Sequence, residues 1–174
     1  MRFTATHFAD AWLVQLEPKA DQRGFFARAF CEHEFRQQGL VSHFVQCNLS
    51  ANHNRATLRG LHYQAEPDAE VKLVRCIRGA IFDVLVDIRP DSPTYLQWQG
   101  FELSAENRDA LYIPAGFAHG YQTLEPDSEV FYQVSAYYVP AAGRGLRWDD
   151  PGLKIEWPLA SPLLSEQDKS WPLL

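Results

Sequence analysis

Hydrophobic positions in this chain are grouped in short segments that mix aromatic residues with Val, Ile, Leu and Thr. That mixture favours β-strands, and turn-forming sequences such as Arg78-Gly79 and Pro90-Asp91-Ser92-Pro93 separate most of the segments. The predicted strands are Ala11–Leu16, Phe44–Ser50, Thr57–Gln64, Lys72–Arg78, Ala80–Ile88, Tyr95–Leu103, Ala110–Ile113, His119–Leu124, Glu129–Tyr138 and Ile155–Trp157.

Many short strands with few helices between them predict an all-β sandwich or barrel, because a parallel α/β fold needs a helix between successive strands. Two short helices are predicted, one over Glu32–Gln38 with Gly39 as its stop, and one over Glu166–Lys169. The segment Pro140–Leu174 is rich in Pro, Gly and Trp, so we expect it to pack against the barrel. The 174 residues, 46% of them hydrophobic, predict a single domain with one well-filled core.

Charge and cysteine usage exclude several classes of partner. The chain has 16 Lys and Arg against 22 Asp and Glu without a basic run, so we expect neither nucleic acid nor an anionic membrane surface as a partner. Its apolar runs fall short of the roughly 20 residues that a bilayer span requires. Met1–Phe8 lacks the pattern of a secretory signal. Cys31, Cys47 and Cys76 are too widely spaced for a disulfide framework or a thiolate zinc site, which predicts reduced thiols in a soluble, cytoplasmic protein.

Two segments place ionisable residues inside strands that otherwise have a buried composition. Within Thr57–Gln64, period-2 alternation puts Arg59 and His62 on opposite faces, unless a bulge at Gly60 changes the register. Within Ile113–Gly120, a Pro-x-Gly-x-x-His spacing predicts a tight turn followed by a histidine that opens the next strand.

The Pro-x-Gly-x-x-His spacing, which ends at His119, resembles the second motif of the cupin jelly rolls, whose histidine points into the barrel. A metal-binding cupin also has a His-x-His pair and a Glu in its first motif, whereas this chain has His62-Tyr63-Gln64 there. Because an amide is a poor ligand for a transition metal, we expect no metal site. The alternative is a metal-dependent cupin oxygenase that uses His62 and His119 with a carboxylate such as Glu66 or Glu70.

Without a metal, the barrel interior still offers groups for proton transfer. His62 can act as a base near neutral pH, Tyr132 is a weak acid, and Lys72 and Arg59 are cations. Each group also has a structural interpretation: a hydrogen-bonded histidine, a packed tyrosine, or charges at a strand edge.

Five segments together resemble the dTDP-4-dehydrorhamnose 3,5-epimerase family, and the likeness spans essentially the whole chain. They are Asp21–Phe26, Leu58–Gln64, Lys72–Arg75, Ile113–Gly120 and Gly145–Pro151. The resemblance implies a cupin-like jelly-roll barrel, free of metal and organic cofactor, that forms a homodimer through exchanged N-terminal strands. It implies an epimerase of a nucleotide-linked 4-keto-6-deoxyhexose, with dTDP-4-dehydro-6-deoxy-D-glucose as the leading substrate and C3, C5 or both as the inverted carbons.

The resemblance also assigns roles to individual residues. His62 matches the base, Lys72 the group that faces the C4 oxygen, Asp168 the carboxylate that pairs with the histidine, and Tyr132 the acid on the opposite face. Tyr138 matches the aromatic ring that stacks on the nucleobase. The remaining residues that the likeness carries into sugar-nucleotide binding are Arg23, Phe26, Gln46, Asn48, Arg59 and His119, of which Arg23 and Phe26 are expected to serve the neighbouring subunit's site.

Three positions depart from the family's pattern. Arg28 and Gly143 stand where rhamnose-pathway members typically have Glu, and Gln167 stands where Lys is usual. An acidic side chain can accept from the N3–H of thymine, whereas Arg offers only donors, which suit cytosine or guanine. One hypothesis is therefore a changed base preference through Arg28; in the other, Arg28 points into solvent or contacts a phosphate. The functional alternatives are a single-position epimerase or ketoisomerase on a CDP- or GDP-linked keto sugar, and a sugar-binding module without turnover.

Overall fold

Two antiparallel β-sheets face each other in the computed structural model, which describes residues 1–174. The strands are β1 (Arg2–Ala5), β2 (Trp12–Gln15), β3 (Lys19–Asp21), β4 (Gly24–Phe26), β5 (Gln46–Asn52), β6 (Leu58–Gln64), β7 (Lys72–Arg78), β8 (Ala80–Asp87), β9 (Trp98–Ser104), β10 (Ala110–Ile113), β11 (Phe117–Thr123), β12 (Ser128–Val134) and β13 (Gly143–Gly145). One sheet has six strands in the order β1-β2-β10-β7-β12-β5, the other has five in the order β13-β6-β11-β8-β9, and β3 and β4 form a separate hairpin. The helices are α1 (Glu32–Gln37) and α2 (Glu166–Ser170), with a 3-10 turn at Pro140–Ala142.

The predicted all-β class and nine of the ten predicted strands are confirmed, two of them, β7 and β10, with the predicted bounds. The predicted strand Ile155–Trp157 is wrong. Both of its hydrophobic side chains pack on the core, but the backbone there joins neither sheet, and the Trp157 indole donates to the carbonyl of Trp148 at 2.9 Å. The apolar side chains of this segment are thus buried without strand pairing. Composition alone does not distinguish such a segment from a strand. The strands that were not predicted are β1, β3, β4 and β13.

Three layers of apolar side chains hold the fold together. The largest cluster lies between the two sheets and includes Val74 and Leu111 from one sheet and Leu85 from the other. A second cluster covers the outer face of the six-stranded sheet around Phe35 of α1, which is fully buried. The third lies on the outer face of the five-stranded sheet, where Leu153 of the C-terminal segment packs. No helix has both the length and the apolar composition needed to cross a bilayer.

The predicted irregularity at Gly60 is present. The register between β6 and β11 shifts between His119 and Tyr121, and Gly60 has a φ of +139°, which side-chain-bearing residues rarely adopt. A Cβ at Gly60 would lie 2.5 Å from the Cα of Gly120, so the two strands approach closely only because this position is glycine. Simple alternation therefore fails across the bulge, and Arg59 lines the same cavity as His62.

Candidate active site

Two adjoining cavities of about 420 and 550 Å³ open between the sheets. The residues that line both of them are His62, Lys72, Tyr132, Tyr138 and Gln167. Four of the residues singled out from the sequence as catalytic or binding groups are thereby brought to one place, although they are as far apart in the chain as His62 and Tyr138.

Strand register explains how the six-stranded sheet presents its part of the site. Directly opposed residues on neighbouring strands share a face, and so do residues two apart on one strand. Tyr132 of β12 is opposite Asn48 of β5. Val134, two residues further along β12, is opposite Gln46 on one side and Lys72 of β7 on the other. Gln46, Asn48, Lys72 and Tyr132 therefore point to the same cavity.

The five-stranded sheet supplies His62, whose ring is held by a carboxylate from the C-terminal helix. The Nε2 of His62 lies 2.5 Å from Oδ1 of Asp168, and the Asp168 side chain is only 5% exposed. Asp168 is fixed in turn by its backbone N–H, which donates to the N-cap hydroxyl of Ser165 at 3.1 Å. The imidazole is 43% exposed, so its other edge faces the cavity.

The ionisation of Asp168 determines which nitrogen of His62 is free. Burial alone would raise the pKa of Asp168, but side-chain hydrogen bonds, chiefly the one from His62, lower it below its usual range. An ionised carboxylate only accepts hydrogen bonds, so Nε2 of His62 donates and Nδ1 keeps its lone pair. This arrangement gives His62 a proton-accepting nitrogen whose orientation is set by Asp168.

Tyr132 is protonated under ordinary conditions. Burial raises the pKa of its phenol, and the neighbouring Tyr121 and Glu70 raise it further, while Arg59 opposes them. A phenol with a raised pKa remains a proton donor across the neutral range, which suits an acid.

The cationic part of the site is Lys72, whose side chain is only 10% exposed. Its Nζ lies 3.1 Å from Oε1 of Glu70 and donates to the carbonyl oxygen of His62 at 3.3 Å. A second cation, Arg59, lines the larger cavity, and its Nε donates to the Oδ1 of Asn52 at 2.7 Å.

A second histidine and carboxylate lie beside the first. The Nε2 of His119 lies 2.9 Å from Oδ2 of Asp83, whose side chain is fully buried, and His119 is directly opposite His62 on the adjacent strand. His119 lines only the larger cavity.

Most of the side chains considered above as metal ligands contact other charged groups. His62 and His119 direct Nε2 to separate carboxylates, Glu70 pairs with Lys72, and Glu66 is exposed. No three or more His, Cys, Asp and Glu side chains are grouped as a metal ion requires.

Gln64, at the position of the missing cupin histidine, makes a structural contact instead. Its Oε1 accepts a hydrogen bond from the N–H of Val139 at 2.7 Å.

Three predicted binding residues lie away from this cavity within the chain. Arg23, in the β3–β4 hairpin, is 89% exposed and bonds to Asp21, and Phe26 is 75% exposed. Arg28 donates to Glu34 at 2.6 Å and shares a separate cavity of about 310 Å³ with Phe26.

The other positions that depart from the family's pattern, Gly143 and Gln167, both line the smaller of the two adjoining cavities. Tyr138 stands at its mouth with 62% exposure.

Sequence reasoning missed Trp171. Its ring lies edge-on to His62 with the centroids 6.2 Å apart, and it covers Gly145, where a Cβ would be 2.3 Å from the indole. Gly145 is the register partner of His62, so the glycine provides the space in which the indole packs. The only sequence signal was the aromatic content of the C-terminal segment.

Facing antiparallel sheets with ionisable side chains in the cavity between them define a protein of the cupin-like jelly-roll class with a site suited to acid–base chemistry. The family model described as dTDP-4-dehydrorhamnose 3,5-epimerase matches residues 5–174, and the chain belongs to that family of isomerases. The fold and the family predicted from the sequence are confirmed.

Individual relatives agree along the whole chain. A dTDP-4-dehydrorhamnose 3,5-epimerase of Sinorhizobium fredii is 46% identical over 175 residues, which cover 100% of this chain and 90% of the relative. The crystal structure of a dTDP-4-dehydrorhamnose 3,5-epimerase from Bacillus anthracis with TDP and PPi bound is 44% identical, with a TM-score of 0.96 and 99% coverage of both chains. A dTDP-4-dehydrorhamnose 3-epimerase of Streptomyces niveus is 37% identical over 175 residues, which cover 100% of this chain and 84% of the relative.

Proposed function

We propose that the protein epimerises dTDP-4-dehydro-6-deoxy-D-glucose at C3 and C5 through an enolate, with a histidine base, a tyrosine acid and no cofactor. The observation that carries the proposal is that His62, Lys72 and Tyr132 line one cavity and approach it from two facing sheets. The nucleotide-bound relative from Bacillus anthracis supports a nucleotide-linked substrate.

The first step is removal of a proton next to the C4 ketone. Such a hydrogen is weakly acidic, so a neutral imidazole removes it only if the negative charge that develops on the C4 oxygen is stabilised. The free Nδ1 of His62 accepts the proton, and Asp168 stabilises the imidazolium that forms. The ammonium of Lys72 faces the developing oxyanion.

The second step decides the stereochemistry. The enolate carbon is flat, so a proton returned on the face from which it was taken regenerates the starting sugar. Tyr132 returns the proton from the sheet opposite His62, which inverts the carbon, and its raised pKa keeps the phenol protonated until the transfer. A binding module without turnover needs no such pair.

The nucleotide occupies the outer part of the cavity. Tyr138 is the exposed aromatic ring at the mouth and stacks on the base, and Arg59 meets the diphosphate as a cation that has no carboxylate partner. Arg28 is held by Glu34 in the separate cavity, and it reaches a nucleotide only in a site completed by a second subunit. Binding measurements with dTDP, CDP and GDP test its effect, and tightest binding of dTDP would reject the changed base preference.

The active form is a homodimer with exchanged N-terminal strands. The six-stranded sheet leaves Leu49, Ile77 and Phe131 exposed on its outer face, and β5 is an edge strand. The β3–β4 hairpin holds Arg23 and Phe26 away from the chain's own cavity, where they are available to a neighbour.

Complementation between two inactive variants tests this assembly. In a mixed dimer of Arg23→Ala and His62→Ala subunits, one site has both an intact His62 and the partner's intact Arg23. Co-expression should therefore restore about a quarter of the wild-type activity, since half of the random dimers are mixed and each has one complete site. If Arg23 serves its own subunit, co-expression restores nothing.

Incubation of the protein with dTDP-4-dehydro-6-deoxyglucose in D₂O tests the reaction. NMR and mass spectra should show deuterium at C3 and C5 and inversion at both carbons. Deuterium and inversion at C3 alone would establish the second candidate, a 3-epimerase, which the relative from Streptomyces niveus supports. Absence of exchange at both carbons would overturn the proposed function.

A further inference from the structure

Glu70 is a nearly buried carboxylate that lines the cavity, and it takes no part in the proton transfers proposed above. Its side chain is 12% exposed, and Oε1 lies 3.1 Å from Nζ of Lys72. The other oxygen, Oε2, accepts a longer hydrogen bond of 3.3 Å from the Nε2 of Gln64. Glu70 therefore pairs with Lys72, and both residues line the cavity.

Two contacts hold the Lys72 ammonium in place. It forms an ion pair with Glu70, whose Oε1 lies 3.1 Å from Nζ, and it donates a hydrogen bond to the carbonyl oxygen of His62, 3.3 Å away. An ammonium group has three N–H donors and no acceptor, so donor capacity remains for the cavity that the lysine lines. The ion pair and the hydrogen bond together set the direction in which the ammonium points.

We infer that Glu70 is a positioning residue that orients the Lys72 ammonium toward the C4 oxygen of the substrate. The inference rests on the proposed function and deepens it. A lysine side chain has several rotatable bonds, and a flexible cation stabilises an oxyanion less well than one whose geometry is fixed before the reaction. The second acceptor alone, the His62 carbonyl, leaves the ammonium free to rotate around a single contact.

The role requires an oxygen at the position of Oε1, and a test can separate this oxygen from the charge of Glu70. A glutamine retains an oxygen that can accept from Lys72, whereas alanine removes it. The amide that Glu70→Gln introduces would face the Nε2 of Gln64, but that nitrogen also donates to the carbonyls of Asp68 at 3.0 Å and Tyr137 at 3.2 Å. The glutamine variant thus loses only the longest of the three contacts made by Nε2 of Gln64.

Kinetics of Glu70→Ala and Glu70→Gln test the inference, with Glu66→Ala as the matched control because Glu66 is exposed nearby. We expect Glu70→Ala to lower kcat by about 10- to 100-fold with KM nearly unchanged, because Lys72 acts on charge that develops in the transition state. Glu70→Gln should recover at least half of the wild-type kcat, and Glu66→Ala should equal the wild type.

Isotope exchange distinguishes this role from others. Lys72 acts on the enolate-forming step, so deuterium incorporation and inversion should fall together in Glu70→Ala, while dTDP affinity stays at the wild-type value. A Glu70→Ala enzyme with wild-type kcat, or a Glu70→Gln enzyme as impaired as Glu70→Ala, would overturn the inference. Failure of the wild type itself to exchange any proton would instead reject the proposed function.

Discussion

His62 and Tyr132 reach one cavity from facing sheets, His62 from β6 of the five-stranded sheet and Tyr132 from β12 of the six-stranded sheet. A flat substrate between the sheets would present one face to the imidazole and the other to the phenol. The fold itself thereby separates the two side chains to which the proposed mechanism assigns the proton transfers. Neither the spacing of the two residues in the sequence nor either strand alone creates this relationship.

Removal of the base should stop the first step. We expect His62→Ala to abolish deuterium incorporation at the inverted carbons, because no other imidazole in the cavity is paired with Asp168. Proton NMR in D₂O measures this directly, and His53→Ala, an exposed histidine, is the control. Exchange at the wild-type rate in His62→Ala would show that another group is the base.

Removal of the acid should separate exchange from inversion. In Tyr132→Phe, His62 and Lys72 still form the enolate, so deuterium should enter while formation of the inverted product falls by about 10²-fold or more. Parallel NMR and chromatographic assays compare the two rates on one sample. Unaltered product formation would remove Tyr132 from the mechanism.

We expect the packing of Trp171 on Gly145 to influence the position of His62, which lies next to both residues. In Gly145→Ala the new Cβ would lie 2.3 Å from the indole, so the ring must leave its present position beside His62. We expect kcat to fall by about 10- to 100-fold, because small misplacements of catalytic groups are costly. The double variant Gly145→Ala/Trp171→Ala should be no worse than Trp171→Ala alone, whereas additive losses would mean that the two residues act separately.

The sheets and the two histidine motifs could be predicted because they depend on local signals. The strands β7 and β10 combine apolar composition with clear turn residues at their ends. The resemblance to a known family added the pairing of Asp168 with His62, which spans more than a hundred residues and has no local signature. The short strand β13, which has only three residues and two glycines, carried no strand signal.

Other features depend on contacts that a sequence pattern does not encode. Simple alternation predicts that Arg59 and His62 lie on opposite faces of β6. The bulge at Gly60 brings Arg59 to the cavity that His62 lines. Glu70 was weighed as a metal ligand, although its carboxylate lies against Lys72. In both cases the deciding fact is which side chains meet across strands, and this depends on register rather than on residue type.

The buried carboxylate of Asp87 should make stability depend on pH on the acid side. It is fully buried and accepts hydrogen bonds from Nη2 of Arg89 at 2.7 Å and from the hydroxyls of Ser92 and Thr94 at 2.6 Å. Burial alone would raise the pKa of Asp87, but these donors hold it well below its ordinary value of 3.8. A lowered pKa means that the stabilisation is complete above pH 3.8 and is lost as the pH falls toward the folded-state value.

Urea unfolding of Asp87→Asn at several pH values measures this contribution. At pH 7 the variant should lose about 2–3 kcal/mol of unfolding free energy, because the partly buried Arg89 loses the carboxylate that accepts its hydrogen bonds. Its stability should also decline less steeply than that of the wild type as the solution becomes acidic. Asp91→Asn, in the same loop but exposed, should unfold like the wild type at every pH. Equal acid dependence in Asp87→Asn and the wild type would show that other carboxylates control the transition.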